Sequence, residues 1–296
     1  MDIVGAFACS HSGLIVTRRD RAPLAAQKTI FEAFAAMGNA IRALAPDAIV
    51  LVGTDHGRIY TFSGVPQFTI GVSDFAHGIG DAGLPSRNLA IHQRFAQAIL
   101  AGCIDAGIDL AFSEAMAIDH SFIMPLMLAL PDMDIPIIPI AQNCFIPPLP
   151  RLERSYEVGK KLGQAICNGP AGRVVVIGTG GLSHWVGSEA FRHYMSEPAG
   201  TRLARREANP LVLDDVGYVN DTFDREFLAL ICGGGARTFV DEWNAERLYR
   251  EAGNGAQEVR NWLLAAAATG DKPGQVVAYA PVREWLTGTA VVKFDV

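Results

Sequence analysis

The sequence predicts an α/β protein: a mostly parallel or mixed central sheet in a three-layer α/β/α arrangement, with a helical C-terminal portion packed on the same domain. Three observations predict it. Apolar runs near 3–8, 48–52 and 173–177 are short and continuous, as in strands buried on both faces. Between such runs lie stretches whose apolar residues recur every three to four positions. The two kinds of segment alternate, which is the order of a doubly wound or mixed sheet.

The elements follow in order. Residues 3–8 form a strand that ends at Cys9-Ser10-His11. Residues 24–44 form a helix with Ile30, Phe34, Met37, Ile41 and Leu44 on one face, stopped by Pro46. Residues 47–53 form a buried strand ending at Thr54-Asp55-His56-Gly57. A helix is expected over 86–107, and a strand over 110–117 that runs into Ile118-Asp119-His120. A helix at 121–130, a strand at 135–140 and a helix at 151–167 come next. The strand 173–177 leads into Gly178-Thr179-Gly180-Gly181-Leu182-Ser183-His184. Residues 185–270 read as mainly helical, and 275–281 and 287–294 as two late strands. With no internal repeat, low-complexity tract or long linker, 1–296 reads as a single catalytic domain and 185–270 as its helical cap.

Composition limits the function. The 296 residues are 50% hydrophobic and 19% charged, enough apolar material for a large core and against wholesale disorder. A net charge of -6 excludes an electrostatic nucleic-acid binder. The short basic cluster Arg18, Arg19 and Arg21 reads as a solvated loop. Mean hydropathy is +0.20, yet no apolar run reaches the ~18 residues of a spanning helix, and the N-terminus has no signal-peptide pattern. A membrane role is not expected. The apolar surplus is assigned to a buried sheet and a subunit interface, hence a homo-oligomer. The five cysteines are odd in number and none shows CxxC spacing, which points to a reducing cytoplasm.

Four of the seven histidines, His11, His56, His120 and His184, stand just after predicted strands. Ligands of open α/β sheets bind beyond the carboxyl ends of the strands, so four imidazoles are aimed at one rim. His77, His92 and His193 read as structural or surface residues. Imidazole both ligates metals and titrates near neutrality, so the four divide naturally into metal ligands and proton carriers. Two histidines with one carboxylate suit Fe(II) oxygen chemistry, because they leave positions open for substrate and O2. Glu258, after Gly253-Asn254-Gly255 and before an apolar helix at 259–268, is a candidate carboxylate, although a glutamate there also complements a helix dipole. Asp55 is a rival that reads better as an orienting or loop-bonding residue. Asp119 either fixes the tautomer of a neighbouring histidine or bonds local backbone. The glycines of 178–181 let the chain turn sharply and bring His184 close to a ligand. There is no HExxH and no GxSxG.

The segments Cys9-Ser10-His11-Ser12, Thr54-Asp55-His56, Ile118-Asp119-His120-Ser121-Phe122, Gly180-Gly181-Leu182-Ser183-His184 and Glu258-Val259-Arg260-Asn261-Trp262 occur in one order across nearly the whole chain. In that ordered set the chain resembles the class III (LigB-type) extradiol ring-cleavage dioxygenases, and among them the 2,3-dihydroxyphenylpropionate 1,2-dioxygenase group. The resemblance implies Fe(II) held by His11, His56 and Glu258, an acid–base pair of His120 and His184, and Asp119 in support of His120. It implies ring opening of an aromatic or heteroaromatic vicinal diol with both atoms of O2. Two segments depart from that group: Gly57-Arg58-Ile59-Tyr60, and residues 192–217. Arg58 and Ser12 are candidates for substrate binding. Catechol, protocatechuate, gallate, aminophenol and dihydroxypyridine substrates stay open, as does a small partner subunit acting as a lid. A zinc-dependent hydrolase on the same scaffold and a non-catalytic binding protein are the competing readings.

Overall fold

A computed structural model describes residues 1–202 and 211–296. The chain opens with β1 (Asp2–Cys9), a single-turn helix α1 (Leu14–Thr17), α2 (Leu24–Ala43) and β2 (Ala48–Thr54). Three short strands follow, β3 (Phe68–Gly71), β4 (Phe75–Gly78) and β5 (Arg87–Ala90), then α3 (Gln93–Asp105). Next come β6 (Ala111–Ser113), β7 (Ala117–Ile118), α4 (His120–Ala129), β8 (Ile137–Gln142), α5 (Leu152–Cys167) and β9 (Arg173–Thr179). The C-terminal part holds α6 (Glu189–Ser196), α7 (Asp221–Cys232), α8 (Ala236–Glu242), α9 (Ala245–Ala252), α10 (Val259–Ala268), β10 (Gly274–Val282) and β11 (Thr287–Phe294).

Eight strands form a central sheet in the order β10-β11-β1-β9-β2-β8-β3-β6. Its middle, β1, β9, β2 and β8, is parallel, whereas β11 and β3 flank it antiparallel. The sheet is therefore mixed, with helices on both faces. Helices α2 and α4 cover one side; α3, α5, α7 and α10 cover the other. All seven residues of β2 are buried, as continuous apolar character predicts for a strand covered on both sides. β5, β4 and β7 make a separate three-stranded sheet.

All ten residues of α10 are buried, because the helix packs between β9, β1 and α5. Eight of its residues are apolar, as suits a helix inside a protein, and its two polar ones, Arg260 and Asn261, are hydrogen-bonded to buried partners. Within 185–270, expected as a cap, this last helix is thus a layer of the central sandwich.

Several expected boundaries move. The helix expected over 86–107 begins at Gln93, and residues 87–90 are strand β5. The single strand expected over 110–117 is two short strands in two different sheets. Within the divergent segment 192–217, residues 203–210 lie outside the described residues.

Candidate metal centre and active-site cleft

His11, His56 and His184 follow β1, β2 and β9, which lie side by side as β1-β9-β2 with parallel direction. His120 arrives differently. It is the first residue of α4, and the β7 strand before it belongs to the small sheet. Ring centroids are 4.3 Å apart for His56 and His120, 5.2 Å for His11 and His56, and 5.8 Å for His11 and His120. Ligand atoms of these three histidines all lie within 4.8 Å of one another.

Glu258 completes the cluster. It ends a 3-10 turn, Gly255–Glu258, that runs directly into α10. Its Oε1 lies 2.8 Å from His56 Nε2 and 3.0 Å from His11 Nε2, and its Oε2 accepts the Gly181 N–H at 2.7 Å. Adjacent ligands of a divalent ion, bound at ~2.1 Å and at right angles, stand roughly 3 Å apart. Glu258 Oε1 stands at that spacing from both imidazole nitrogens.

Proton placement, assigned here from hydrogen-bond partners, strengthens the fit. The Thr179 hydroxyl donates to a backbone carbonyl, Ser121 O at 2.9 Å or Val52 O at 3.2 Å, so it accepts from His11 Nδ1 at 3.0 Å. Burial lowers the His11 pKa, with Glu258 opposing the shift. Burial also works against charge on His56, but Asp119 and Glu258 outweigh it and hold that imidazole well above its ordinary pKa. Burial alone would raise Glu258, yet His11 and His56 keep it well below the usual carboxylate range. Two buried carboxylates, Asp119 against His56 and Glu258 against both His11 and His56, place negative charge at this cluster. Such a set could hold a metal cation.

Asp119 is not placed as the sequence suggested. Its Oδ2 accepts both the backbone N–H and the Nδ1–H of His56 at 2.9 Å, and its Oδ1 accepts Ser121 N–H at 2.9 Å. It holds His56, not His120, because as N-cap of α4 its carboxylate turns back toward the β2 end. His120 is held by Asp81, which the sequence reading missed: Nδ1 lies 2.6 Å from Asp81 Oδ2. The only local signal was an aspartate among glycines at 78–83. Asp55 accepts the backbone N–H groups of Arg58, Ile59 and Tyr60, as a loop-bonding residue does.

His184 donates Nδ1–H to Leu182 O at 2.8 Å. Burial lowers its pKa, with Glu258 opposing, which favours a neutral imidazole; its Nε2 has no hydrogen-bond partner among the described residues. The ring is wedged between Gly181 and Gly255, where any Cβ would collide with it. Of the remaining histidines, His92 caps α3, His77 bonds Asn88, and His193 is exposed near the end of α6.

These groups open onto a cleft of about 280 Å³. Leu14, Val186, Leu211, Leu213, Trp285 and Leu286 supply apolar walls, and Ser12 and Arg58 also line it. The Ser12 hydroxyl donates to Trp285 O at 3.1 Å. Arg58 is exposed, and its guanidinium meets no carboxylate among the described residues. A small aromatic plate would fit such a slot, with polar chemistry at the floor and a cation at the rim.

Residues 5–291 match the family described as "Catalytic LigB subunit of aromatic ring-opening dioxygenase". The chain belongs to the LigB family. Three relatives carry the name 2,3-dihydroxyphenylpropionate/2,3-dihydroxicinnamic acid 1,2-dioxygenase. The one from Photorhabdus laumondii is 30% identical, covering 92% of this chain and 91% of the relative. That from Rhodococcus jostii is 29% identical over 95% of each. That from Escherichia coli K12 is 30% identical, covering 84% of this chain and 85% of the relative. A crystal structure of an uncharacterized protein from Escherichia coli K12 superposes with a TM-score of 0.54 at 14% identity, covering 99% of this chain and all of that one, which bears on the fold alone. This LigB enzyme is a ring-cleaving dioxygenase. Its substrates are an aromatic compound and O2, and its chemistry uses a metal. No helix among the described residues is long and apolar enough to cross a membrane.

Proposed function

We propose that the protein is an Fe(II)-dependent extradiol dioxygenase, with His11, His56 and Glu258 as iron ligands. The observation that carries this reading is the placement of Glu258 Oε1 within 3.0 Å of both His11 Nε2 and His56 Nε2, with each of the three side chains fixed by a partner behind it. Two imidazoles and one carboxylate form the facial set of non-heme Fe(II) oxygenases. A bound Fe(II), held by His11, His56 and Glu258, would supply the redox chemistry that couples diol oxidation to O2.

The side chains would handle protons. His184, neutral and with a free Nε2, would accept a proton from the diol. His120, stacked on His56 with ring centroids 4.3 Å apart, would carry the second proton. Asp119 would act through His56, fixing its ring for the metal. The apolar walls would hold the ring and exclude water. Arg58 would meet an anionic substituent, which the named substrates of the relatives carry, and Ser12 would line the same slot. In this reading 1–296 is one catalytic domain, acting in the cytoplasm as a homo-oligomer.

The test is O2 uptake by protein loaded anaerobically with Fe(II), against catechols, protocatechuate, gallates, aminophenols and dihydroxypyridines, with and without a carboxylate. One O2 consumed per ring opened supports the reading. Turnover of the same diols with Zn(II) in place of iron would overturn the metal assignment. Light scattering reads the oligomeric state.

A further inference from the structure

We infer that Asp81 is a positioning residue for His120, and that the two form a second carboxylate–imidazole couple beside that of Asp119 and His56. The inference rests on the acid–base role given to His120 above.

Asp81 stands in a tight loop between β4 and β5. Its neighbours Gly80, Ala82 and Gly83 all have positive φ, at 72°, 51° and 78°. An alanine in that region costs about 1–2 kcal/mol. The surrounding structure sustains it, since Ala82 packs against Gly13, two residues after His11. The loop presents both carboxylate oxygens to one residue. Oδ1 accepts the backbone N–H of His120 at 2.8 Å, and Oδ2 accepts its Nδ1–H at 2.6 Å. The second distance is at the short end for an N–H···O bond, the direction in which an ionised acceptor shifts it.

The division of labour between the two aspartates is complete. Both oxygens of Asp119 are taken by Ser121 and His56. Asp81 is therefore the carboxylate available to His120 among the described residues. The near approach of Asp81, Asp119 and His120 is accounted for by two hydrogen-bonded couples rather than by a second cation.

One consequence is chemical. With Nδ1 protonated and pinned, the proton-accepting nitrogen of His120 is Nε2, which has no partner among the described residues, and the ring lines the cleft. A general base must present the correct nitrogen before substrate arrives. An asparagine at position 81 keeps the shape but offers an N–H where the carboxylate accepted one. His120 would then hold its proton on Nε2. In the serine-protease triad the equivalent replacement inverts the tautomer and lowers kcat by ~10⁴.

The experiment joins kinetics to a tautomer measurement. In Fe(II)-loaded enzyme, Asp81→Asn is expected to lower kcat by at least ~100-fold, with KM and bound iron unchanged. Asp81→Glu, which keeps a carboxylate, restores part of the loss. In Zn(II)-loaded protein with 15N-labelled histidine, NMR reads His120 as Nδ1–H in the wild type and as Nε2–H in Asp81→Asn. Wild-type kcat in Asp81→Asn, beside an inactive His120→Ala, overturns the inference and leaves the acid–base reading standing. Full activity in His120→Ala overturns both. Should Asp81→Asn not fold, the wild-type spectrum decides alone: an Nε2–H tautomer at His120 overturns the inference.

Discussion

Thr179 accepts the Nδ1 proton of His11 at 3.0 Å across 168 positions of sequence. It lies on β9, next to the β1 strand that carries His11. Its own proton goes to a backbone carbonyl, so it can only accept from the imidazole. Thr179→Val removes that acceptor without changing volume. The expected result is a metal affinity ~10–100-fold weaker, with the fold intact. Anaerobic Fe(II) titration followed by iron analysis checks it; wild-type affinity would mean the ring orientation is set elsewhere.

The two sets of histidines should separate cleanly. His11→Ala, His56→Ala and Glu258→Ala are expected to lose iron and activity together. His120→Ala and His184→Ala are expected to keep iron and lose about 10²–10⁴ in kcat. Iron content measured beside turnover distinguishes them, and stoichiometric iron in Glu258→Ala would end the ligand assignment.

Arg58→Gln should act on one class of substrate only. A charged hydrogen bond contributes about 1.5 kcal/mol or more, so KM for a carboxylate-bearing diol should rise roughly tenfold. Unsubstituted catechol should be unaffected. Equal effects on both would show that Arg58 supports the loop rather than the ligand.

Asp224 makes stability depend on pH. Its carboxyl is fully buried, and burial lifts its pKa to about 7, partly offset by hydrogen bonds from Ser183 and Tyr279. Below about pH 4 the folded and unfolded chains both hold this proton. Between about 4 and 7 the unfolded chain releases it first, so stability falls as pH rises, by on the order of 4 kcal/mol at most, and levels off above the folded pKa. Asp224→Asn keeps an acceptor for Ser183 N–H and removes the ionisation. Its Tm relative to wild type should be higher at pH 8 than at pH 5. A difference that does not change with pH would refute this.

The strand ends were readable because a strand buried on both faces is apolar without interruption, and a histidine directly after β1 or β2 then marks a rim. The four-residue strands β3, β4 and β5 were not. They are too short to establish a period, and Ile91 continues the four-residue spacing of Phe95, Ile99 and Cys103, which draws the apparent start of α3 backward. That His11, His56, His120, His184 and Glu258 line one cleft agrees with their selection one by one from the sequence; their pairing was not legible. Asp119 is adjacent to His120 in sequence but bonded to His56, and Asp81 reaches His120 from 39 positions away. Sequence adjacency gives opposite directions to neighbouring side chains, and only the docking of the small sheet against α4 decides which carboxylate meets which ring.

The floor of the cleft and its walls have different origins. His11, His56 and Glu258 stand at strand ends and at the start of the buried helix α10, whereas Arg58, Val186, Leu211, Leu213 and Leu286 come from connecting segments. Loops tolerate insertion and exchange far better than buried elements do. The molecule is accordingly divided into a floor held by the core and a mouth built on loops, so exchanges in the mouth are expected to change which ring substituents fit while leaving the floor in place.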